Sequence, residues 1–530
     1  MNHIPKAGLG VAILITTFVF AALGALFVQA PDLDVSLIWN DPYYQHVTKF
    51  SFYQAFLSMG LSITLAIPLA HALYRREFIG KSLLLKLFAS TLVLPVLVGV
   101  FGLLAIYGNS GLLAQWLLSL DIELPFSIYG LSGILLAHVF FNMPYAARLL
   151  VQALESIPTE QHKLCAHLGM SHWDKFRWVE WPRLRQQLPH VCGLVFMLCF
   201  TSFATVMALG GGPKSTTIEL AIYQAIKFDF DLQTGALLAL WQILLCSVLS
   251  LGIQALTKPI SVTSGSTLVQ QYLTKDHRWS KAWDSFWIIG AFLLVIPPLL
   301  MVLISGFNQK IWTVLTDEAF WSALLTSIKV ALLASTLAMG AGVAILQTSR
   351  RLRLSFRSKR ADHIEFIGTI ILVTPGLVIS TGLFLLLRSI TDVYSLAFWV
   401  VIIVNGLMAL PYVIKTLSQP MLHIEQQYQY LCASLGLRGW QRFCLIEWRA
   451  LRKPFSHAFT ISLMFSMGDL SAIALFGSQD FRTLPLYLFQ LLGSYQMEAA
   501  AVVSVTLLLL NLGCFALIEK LFKIRNNVPC

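Results

Sequence analysis

Residues 143–185 read MPYAARLLVQALESIPTEQHKLCAHLGMSHWDKFRWVEWPRLR, and residues 410–452 repeat this segment as LPYVIKTLSQPMLHIEQQYQYLCASLGLRGWQRFCLIEWRALR. The two copies align without a gap, and 16 of the 43 aligned positions are identical. The identical positions include a Leu-Cys-Ala triplet, a glycine, a tryptophan and a Glu-Trp pair. A match of this length within one chain indicates an internal duplication. We therefore expect two copies of one structural unit.

Long apolar runs surround both copies of the segment. Of the 530 residues, 57% are hydrophobic and 12% are charged, whereas a soluble domain has about 25% charged residues. Runs of about 20 apolar residues match a helix that crosses the hydrocarbon core of a bilayer. The predicted spans lie near residues 8–30, 52–74, 83–107, 127–150, 187–210, 233–256, 284–306, 320–347, 364–387, 396–417, 455–477 and 499–519. We predict an all-α polytopic membrane protein with about twelve transmembrane helices.

The duplication and the spans together predict two parallel six-helix repeats. Six spans per repeat is an even number, so both repeats enter the membrane in the same direction, with a pathway expected between them. The first half covers residues 1–260 and contains the loop 152–186 between its fourth and fifth spans. The second half covers residues 284–530 and contains the equivalent loop 419–453.

The positive charge of the chain follows this predicted topology. The net charge is +11, and with a cytoplasmic N-terminus 30 of the 37 Lys and Arg residues fall in cytoplasmic segments. Because Lys and Arg are enriched in cytoplasmic loops, we predict a multi-pass protein of the bacterial inner membrane with both termini and both repeated loops in the cytoplasm. This distribution explains the basic composition without a nucleic-acid partner. No outer loop contains one of the eight cysteines, so no external disulfide is expected.

Each repeated loop has the pattern of two short helices joined at a glycine. Residues 159–168 favour a helix, and Gly169 and Gly436 stand where a helix ends in the left-handed conformation. Trp173 and Phe176 follow at helical spacing and recur in the second copy. Such a loop is either a solvated linker with a few apolar residues packed on the bundle or a docking element for a cytoplasmic partner. The recurrence of aromatic residues and glycine at one spacing in both halves favours docking.

The two loops resemble the cytoplasmic loop of ABC importer permeases. In that family a Glu-Ala-Ala motif precedes a glycine and an apolar-x-Leu-Pro motif, and the loop forms a coupling helix seated in a groove of the ATPase subunit. Gly169 and Gly436 match the glycine, whereas Lys-Leu-Cys at 163–165 and Tyr-Leu-Cys at 430–432 replace Glu-Ala-Ala. The resemblance implies two copies of a cytoplasmic ABC ATPase and a periplasmic substrate-binding protein as partners. It implies an ATPase-coupling role for Cys165, Ala166, Gly169, Trp173, Phe176, Cys432, Ala433, Gly436, Trp440 and Phe443.

An ATP site within this chain is not indicated. The segment GGGPKSTT at 210–217 resembles a phosphate-binding loop, but Pro213 stands where that motif needs a glycine directly before the lysine. The segment also lies on the predicted outer side, away from cytoplasmic ATP. No H-E-x-x-H or G-x-S-x-G motif is present. We therefore expect no enzyme activity in this chain, ATP hydrolysis on a separate ATPase subunit, no cofactor and no metal site.

The resemblance extends over nearly the whole chain and is closest to fused, two-half permeases. The stretches that resemble permeases of thiamine/thiamine pyrophosphate importers are 92–108, 133–144, 196–206, 210–226 and 468–490. This resemblance implies that the chain moves a small molecule, thiamine or a thiamine phosphate, from the binding protein into the cytoplasm by alternating access. Two alternatives are a ferric iron permease of the same family and an ion-coupled secondary transporter. In the latter the repeated loops would have no evident role.

Four polar residues within the predicted spans are candidates for the pathway. His138 and Asn405 occupy equivalent positions of the repeat, as do Ser202 and Asp469. They either line the pathway or form interhelical hydrogen bonds, each of which contributes about 0.6–2 kcal/mol.

Prolines also recur at equivalent positions of the two halves. Pro95 pairs with Pro375, and Pro144 pairs with Pro411. Proline inside a helix removes a backbone hydrogen bond and bends the helix. We therefore predict a kink at each of these four positions.

Overall fold

The computed structural model describes residues 6–30, 35–91, 93–123, 125–256, 278–355, 357–372, 374–437 and 439–522. Within these ranges the protein is helical and contains no β-strand, as predicted. Six main helices per half follow one another in the same order, so that α7 to α12 are the equivalents of α1 to α6. They are α1 (Ala7–Gln29), α2 (Pro42–Arg75), α3 (Val96–Tyr107), α4 (Leu131–Glu155), α5 (Trp181–Phe200), α6 (Leu232–Leu256), α7 (Arg278–Gly306), α8 (Glu318–Leu354), α9 (Gly376–Arg388), α10 (Val393–Ser434), α11 (Trp448–Gly468) and α12 (Met497–Phe522).

Shorter helices connect these twelve. The α-helical ones are Val35–Asn40, Lys81–Ser90, Leu112–Leu118, Thr159–His167, His172–Lys175, Phe203–Leu209, Ile218–Lys227, Ile311–Thr316, Ser358–Thr369, Gly439–Arg442, Ser471–Phe476 and Leu484–Gly493. Two π-helices, Phe176–Glu180 and Phe443–Glu447, precede α5 and α11. Two 3₁₀ turns cover Pro213–Ser215 and Ile370–Leu372.

The number of spans differs from the predicted twelve. In the described ranges ten helices are long and apolar enough to cross a membrane. An eleventh span results if the bent pair His172–Phe200 and Phe203–Leu209, which meet at 51°, is counted as one. The predicted span 364–387 has no counterpart of sufficient length, because its apolar helix α9 has only 13 residues, and a straight span needs about 20.

A chain break before α9, and its equivalent before α3, explains this difference. Pro95 and Pro375 directly precede α3 and α9 and have extended backbone angles, ψ 124° and 144°. Because the residue before a proline avoids the helical conformation, the preceding helices cannot continue into α3 and α9. The predicted kinks at these two prolines are therefore wrong: the helices end and restart. By contrast, α4 and α10 continue through Pro144 and Pro411.

The first helix of each half packs on the other half. Helix α1 lies against α8 and α9, and helix α7 lies against α2 and α3. Within each half, the second and fourth helices pack extensively on each other, α2 on α4 and α8 on α10. The contacts are reciprocal, as expected for two parallel repeats related by a two-fold axis along the membrane normal.

Two glycines at equivalent positions permit these exchanged contacts. A Cβ atom added to Gly102 of α3 would stand 2.5 Å from the carbonyl oxygen of Pro298 in α7. A Cβ atom added to Gly382 of α9 would stand 2.4 Å from the carbonyl oxygen of Ala22 in α1. Glycine therefore lets the two helix backbones touch directly, as small residues do where membrane helices cross.

The helices Ile218–Lys227 and Leu484–Gly493 are anchored in the same way in both halves. The Ile218 N–H donates to Ser51 Oγ of α2 at 3.0 Å, and the Leu484 N–H donates to Ser327 Oγ of α8 at 2.7 Å. The first N–H groups of a helix have no partner within that helix. A serine from a neighbouring main helix supplies it here, which fixes the start of each short helix.

Candidate coupling segments and pathway residues

The two repeated loops share one helix-ending turn. Gly169 and Gly436 have φ +60° and +65°, the left-handed conformation predicted for them. The N–H of the following residue reaches back to the carbonyl of Cys165 at 3.1 Å in the first loop and of Cys432 at 2.9 Å in the second. This is the Schellman pattern, in which glycine avoids the steric cost of a Cβ atom at positive φ. The direction in which the chain leaves each turn is thus set identically in both halves.

Both loops then return to the membrane domain through a π-helix. In the first loop, Ser171 caps the helix His172–Lys175, and Ser171 and Asp174 form a reciprocal capping box. The π-helices Phe176–Glu180 and Phe443–Glu447 occupy the same positions of the repeat. π-helical turns inside α-helices occur mostly as single insertions, often at functional sites.

A buried glutamate at the end of each π-helix ties the loop to the membrane domain. In the first half, Glu180 Oε2 lies 2.9 Å from His71 Nε2 of α2, and Glu180 Oε1 lies 3.6 Å from Lys175 Nζ. In the second half, Arg350 of α8 approaches Glu447 Oε1 to 2.9 Å. The sequence repeat contains this Glu-Trp pair, but only the structure shows what the glutamate does: it links the loop to the second helix of its half.

The second half has an additional ionic cluster. Glu425 of α10 is completely buried, and its carboxylate contacts three arginines: Arg350 and Arg351, both at 3.4 Å, and Arg442. Arg442 Nε also lies 3.1 Å from Glu447. Buried charges are tolerated when paired and hydrogen-bonded, so this cluster joins α8, α10 and the coupling loop.

The first half lacks this cluster because proline occupies the equivalent position. Pro158 aligns with Glu425, and it separates α4, which ends at Glu155, from the helix Thr159–His167. In the second half the equivalent chain is one uninterrupted helix of 42 residues, α10. The first loop is instead held by a hydrogen bond between Tyr74 of α2 and His162 Nε2 at 2.9 Å. Burial and the nearby positive charge of Lys175 lower the pKa of His162, which favours a neutral imidazole.

The predicted coupling residues do not all face outward. Cys165 and Cys432 are buried, whereas Ala166 and Ala433 are exposed. Trp173 is 66% exposed and stacks at 5.7 Å on Phe176, which itself packs inward. The inward contacts of Phe176 are with His71 and Trp181, and Phe443 packs in the equivalent way on Trp448. Trp440 belongs to the helix Gly439–Arg442, but its side chain lies outside the described residues.

Each loop exposes several large apolar side chains, of which the sequence analysis predicted a role only for Trp173. The patches consist of Leu164, Leu168, Trp173 and Trp178 in the first loop and Tyr430, Leu431, Leu435 and Leu445 in the second. Large apolar side chains exposed together indicate an interaction surface. The leucines were missed because leucine is also the commonest residue of the predicted spans.

The four candidate pathway residues all form hydrogen bonds within the protein. His138 bridges two serines, with Nδ1 2.8 Å from Ser58 Oγ and Nε2 2.8 Å from Ser202 Oγ. Asn405 Nδ2 donates to Ser466 at 3.2 Å, which joins α10 to α11. The structure thus brings His138 and Ser202 together, whereas Asn405 bonds to Ser466 rather than to Asp469.

Asp469 stands at the break between α11 and the helix Ser471–Phe476. Its carboxylate accepts hydrogen bonds from Ser471 Oγ at 2.8 Å and from the Ala472 N–H at 3.3 Å. It therefore stabilises the start of this short helix. Among the described residues, no group of three or more His, Cys, Asp or Glu side chains is placed to hold a metal ion.

Comparison with known proteins assigns the architecture to a family. The family model described as "binding-protein-dependent transport system inner membrane component" matches residues 50–260 and 337–523, one match in each half. The matched ranges include both coupling loops and leave out α1 and α7, the two exchanged helices.

Relatives match over almost the entire chain. The thiamine transport system permease protein ThiP of Escherichia coli is 48% identical over 97% of this chain and 96% of its own length. The proteins of the same name from Haemophilus influenzae and Brucella abortus are 43% and 39% identical, over 97% and 96% of this chain and 95% and 93% of their own lengths. With a family match in each half and helices that can span a membrane in both, this chain belongs to the binding-protein-dependent transport system inner membrane components, the permeases of such importers.

Proposed function

We propose that this chain is the permease of an ATP-driven importer of thiamine or thiamine phosphates. It would work with a periplasmic binding protein and two copies of a cytoplasmic ABC ATPase. The observation that carries the substrate is the similarity over 97% of the chain to permeases named for thiamine transport. The fold alone does not distinguish a ferric iron permease, so the substrate requires a direct test.

The coupling segments support the ATP-driven mechanism. Each exposes an apolar patch beside a rigid glycine turn, and each is tied by a buried glutamate to the second helix of its half, through His71 or Arg350. A displacement of the patch by an ATPase would therefore be transmitted to α2 or α8. Closure of the ATPase pair would draw the two segments together and open the pathway to the binding protein, in the manner of rigid-body alternating access.

Reconstitution tests this function. Permease, ATPase and binding protein are placed in liposomes with ATP inside the compartment that the ATPase faces. Thiamine-loaded binding protein should stimulate ATP hydrolysis and thiamine uptake, whereas the unloaded protein should not. Stimulation by a ferric-loaded binding protein, without a response to thiamine, would retain the permease and overturn the substrate.

The same proposal places both termini and both coupling loops in the cytoplasm. Reporter fusions test this orientation, because a periplasmic and a cytoplasmic reporter are active on opposite sides. Fusions after residues 120, 215, 315 and 485 should report the periplasm, and fusions after residues 80, 170, 355 and 440 the cytoplasm. Opposite orientation of one half only would contradict the parallel repeat.

A further inference from the structure

A buried carboxyl group without a partner lies between the two halves. Glu219 belongs to the first turn of the helix Ile218–Lys227, and only 3% of its surface is exposed. Within the described part of the chain, its carboxyl group makes no hydrogen bond and no salt bridge. Burial raises the pKa of Glu219 to about 8, and the negative charge of Asp469 contributes to the rise. An uncompensated buried carboxylate destabilises a fold, so Glu219 is not explained by stability.

The opposite wall of this region belongs to the second half. The helix Ile218–Lys227 packs on α9 and on the helix Ser471–Phe476. At its C-terminal end, Lys227 Nζ donates to the carbonyl oxygens of Leu475 and Gly477, both at 3.2 Å. At its N-terminal end, Glu219 is near enough to Asp469 for the two carboxyl groups to interact. The short helix therefore packs on the second half, and the negative charge of Asp469 from that half acts on the Glu219 carboxyl group.

Further hydrogen-bonding groups around Glu219 are unused. Gln242 of α6 is completely buried, and neither Oε1 nor Nε2 has a partner in the described structure. Helix α6 packs on the short helix, with Gly235 against Ile226. Gln242 follows Gly235 by about two helical turns and Glu219 precedes Ile226 by about two, so the antiparallel helices bring Gln242 to the level of Glu219. Buried polar groups are normally satisfied, so the unpaired side chains of Glu219 and Gln242 on two adjacent helices indicate that a ligand is missing between them.

The duplication shows that the fold does not need these acids. Residues 216–226 align with 482–492 in the sequence repeat, so that Glu219 is aligned with Pro485. Asp469 is aligned with Ser202. The second copy forms the same short helix, capped by the equivalent serine, with proline at this position. The acidic pair therefore occurs at only one of two architecturally equivalent places.

We propose that Glu219, together with Asp469 and Gln242, forms a binding site for an organic cation in transit between the two halves. The proposal rests on the proposed function, because thiamine has a permanently charged thiazolium ring and an aminopyrimidine with hydrogen-bonding groups. The positive ring would favour the ionised carboxylate of Glu219, which would release its proton to water when the cation binds, and the Gln242 amide would bond to the pyrimidine. Only 3% of the Glu219 surface is exposed in the conformation described here, so the cation would enter and leave when the halves move apart.

The test measures thiamine uptake and ATP hydrolysis in the same proteoliposomes. Wild type is compared with Glu219→Gln, with Glu219→Asp, which keeps the charge, and with Glu498→Gln, an exposed glutamate, as a matched control. In Glu219→Gln we expect stimulation of ATP hydrolysis by thiamine-loaded binding protein within twofold of wild type, but at least tenfold less thiamine transported per ATP. Glu219→Asp should recover part of this ratio, and Glu498→Gln should match wild type.

A second variant keeps the test decisive if Glu219→Gln does not assemble. Gln242→Met replaces a buried amide by an apolar side chain of similar size, which should not destabilise the fold, and we expect at least threefold less thiamine per ATP. A purely structural role would lower uptake and ATP hydrolysis in parallel and would overturn the site. An unchanged amount of thiamine transported per ATP in the variants would also overturn the site. A requirement of transport for Na⁺ or K⁺ that is lost in Glu219→Gln would overturn it too, because the site would then bind an inorganic cation. Absence of thiamine uptake by wild type would overturn the proposed function and this site with it.

Discussion

Replacing Gly102 by alanine should weaken the contact between the two halves. The new Cβ atom would stand 2.5 Å from the carbonyl oxygen of Pro298 and 2.9 Å from its carbonyl carbon. An ordinary contact begins at 3.4 Å, so α3 and α7 would have to separate locally by 3.4 − 2.5 = 0.9 Å. The neighbouring atoms are backbone and cannot rotate away. Gly382→Ala should act in the same way on α9 and α1.

The expected size follows from overpacking. Inserting a methyl group into a packed interior costs about 1–3 kcal/mol. The two sites lie in different helix pairs with no shared partner, so their effects should add, and the double variant should lose about 2–6 kcal/mol. Alanine also has about 1 kcal/mol higher helix propensity than glycine. The loss of stability measured at each site is therefore the overpacking cost minus this gain in helix propensity.

Glycines in the two partner helices, α7 and α1, give the control. Gly290 of α7 and Gly24 of α1 have no atom within 4 Å of an added Cβ atom. Alanine there should leave the protein as stable or slightly more stable. The measurement is the unfolding midpoint of the purified full-length chain in detergent, for both pairs of variants. If Gly102→Ala and Gly290→Ala changed the midpoint in the same direction, the backbone contact between α3 and α7 would be refuted.

Three further predictions concern the coupling segments. Glu447→Gln should preserve membrane insertion but reduce ATP-driven uptake at least tenfold, because it weakens the ion pair with Arg350 of α8. The control Glu160→Gln changes an exposed glutamate and should leave uptake unchanged. Equal uptake by the two variants would contradict a role of this ion pair. Glu425→Ala leaves buried arginines unpaired and should destabilise the protein by about 3–5 kcal/mol, measured as loss of monomeric protein in detergent; wild-type stability would show that Glu425 does not hold these arginines inside the protein. Gly169→Val combined with Gly436→Val places a β-branched residue at positive φ at a cost of about 1–2 kcal/mol per site; uptake should be lost with insertion intact, and normal transport would show that these turns do not couple.

The apolar pattern predicts most of the fold. Runs of about 20 apolar residues suffice to place a span such as α6, because lipid leaves the backbone no alternative to a helix. The same rule fails at α9, where the apolar run continues through Pro375 but the helix does not. Hydropathy measures transfer into lipid, and it does not register that a proline divides a run into two helices. The exchange of α1 and α7 was also beyond this reasoning, because apolar faces do not specify which helix they contact.

The coupling segments were predictable in part. Gly169 and Gly436 were assigned correctly because a left-handed residue after a helix has a distinct sequence signal. The role of Glu425 was not, because its three arginine partners come from α8 and from the loop, and only folding brings them together. Glu219 was overlooked because its stretch, 210–226, was considered only for its resemblance to other permeases. The sequence repeat aligns Glu219 with a proline, Pro485, and this difference between the two copies could have drawn attention to Glu219.

The difference between Pro158 and Glu425 has a mechanical consequence. In the second half the turn at Gly436 directly follows α10, a continuous helix of 42 residues. At about 1.5 Å per residue, α10 is about 60 Å long. In the first half the same turn sits on a short helix behind a joint at residues 156–158. A displacement of one end of the continuous helix α10 also moves its other end. In the first half, the break at residues 156–158 lets the short helix rotate before α4 moves. Under the proposed coupling by the ATPase pair, equal displacements of the two turns would therefore move α4 and α10 by different amounts, and the duplicated bundle would open from one side first.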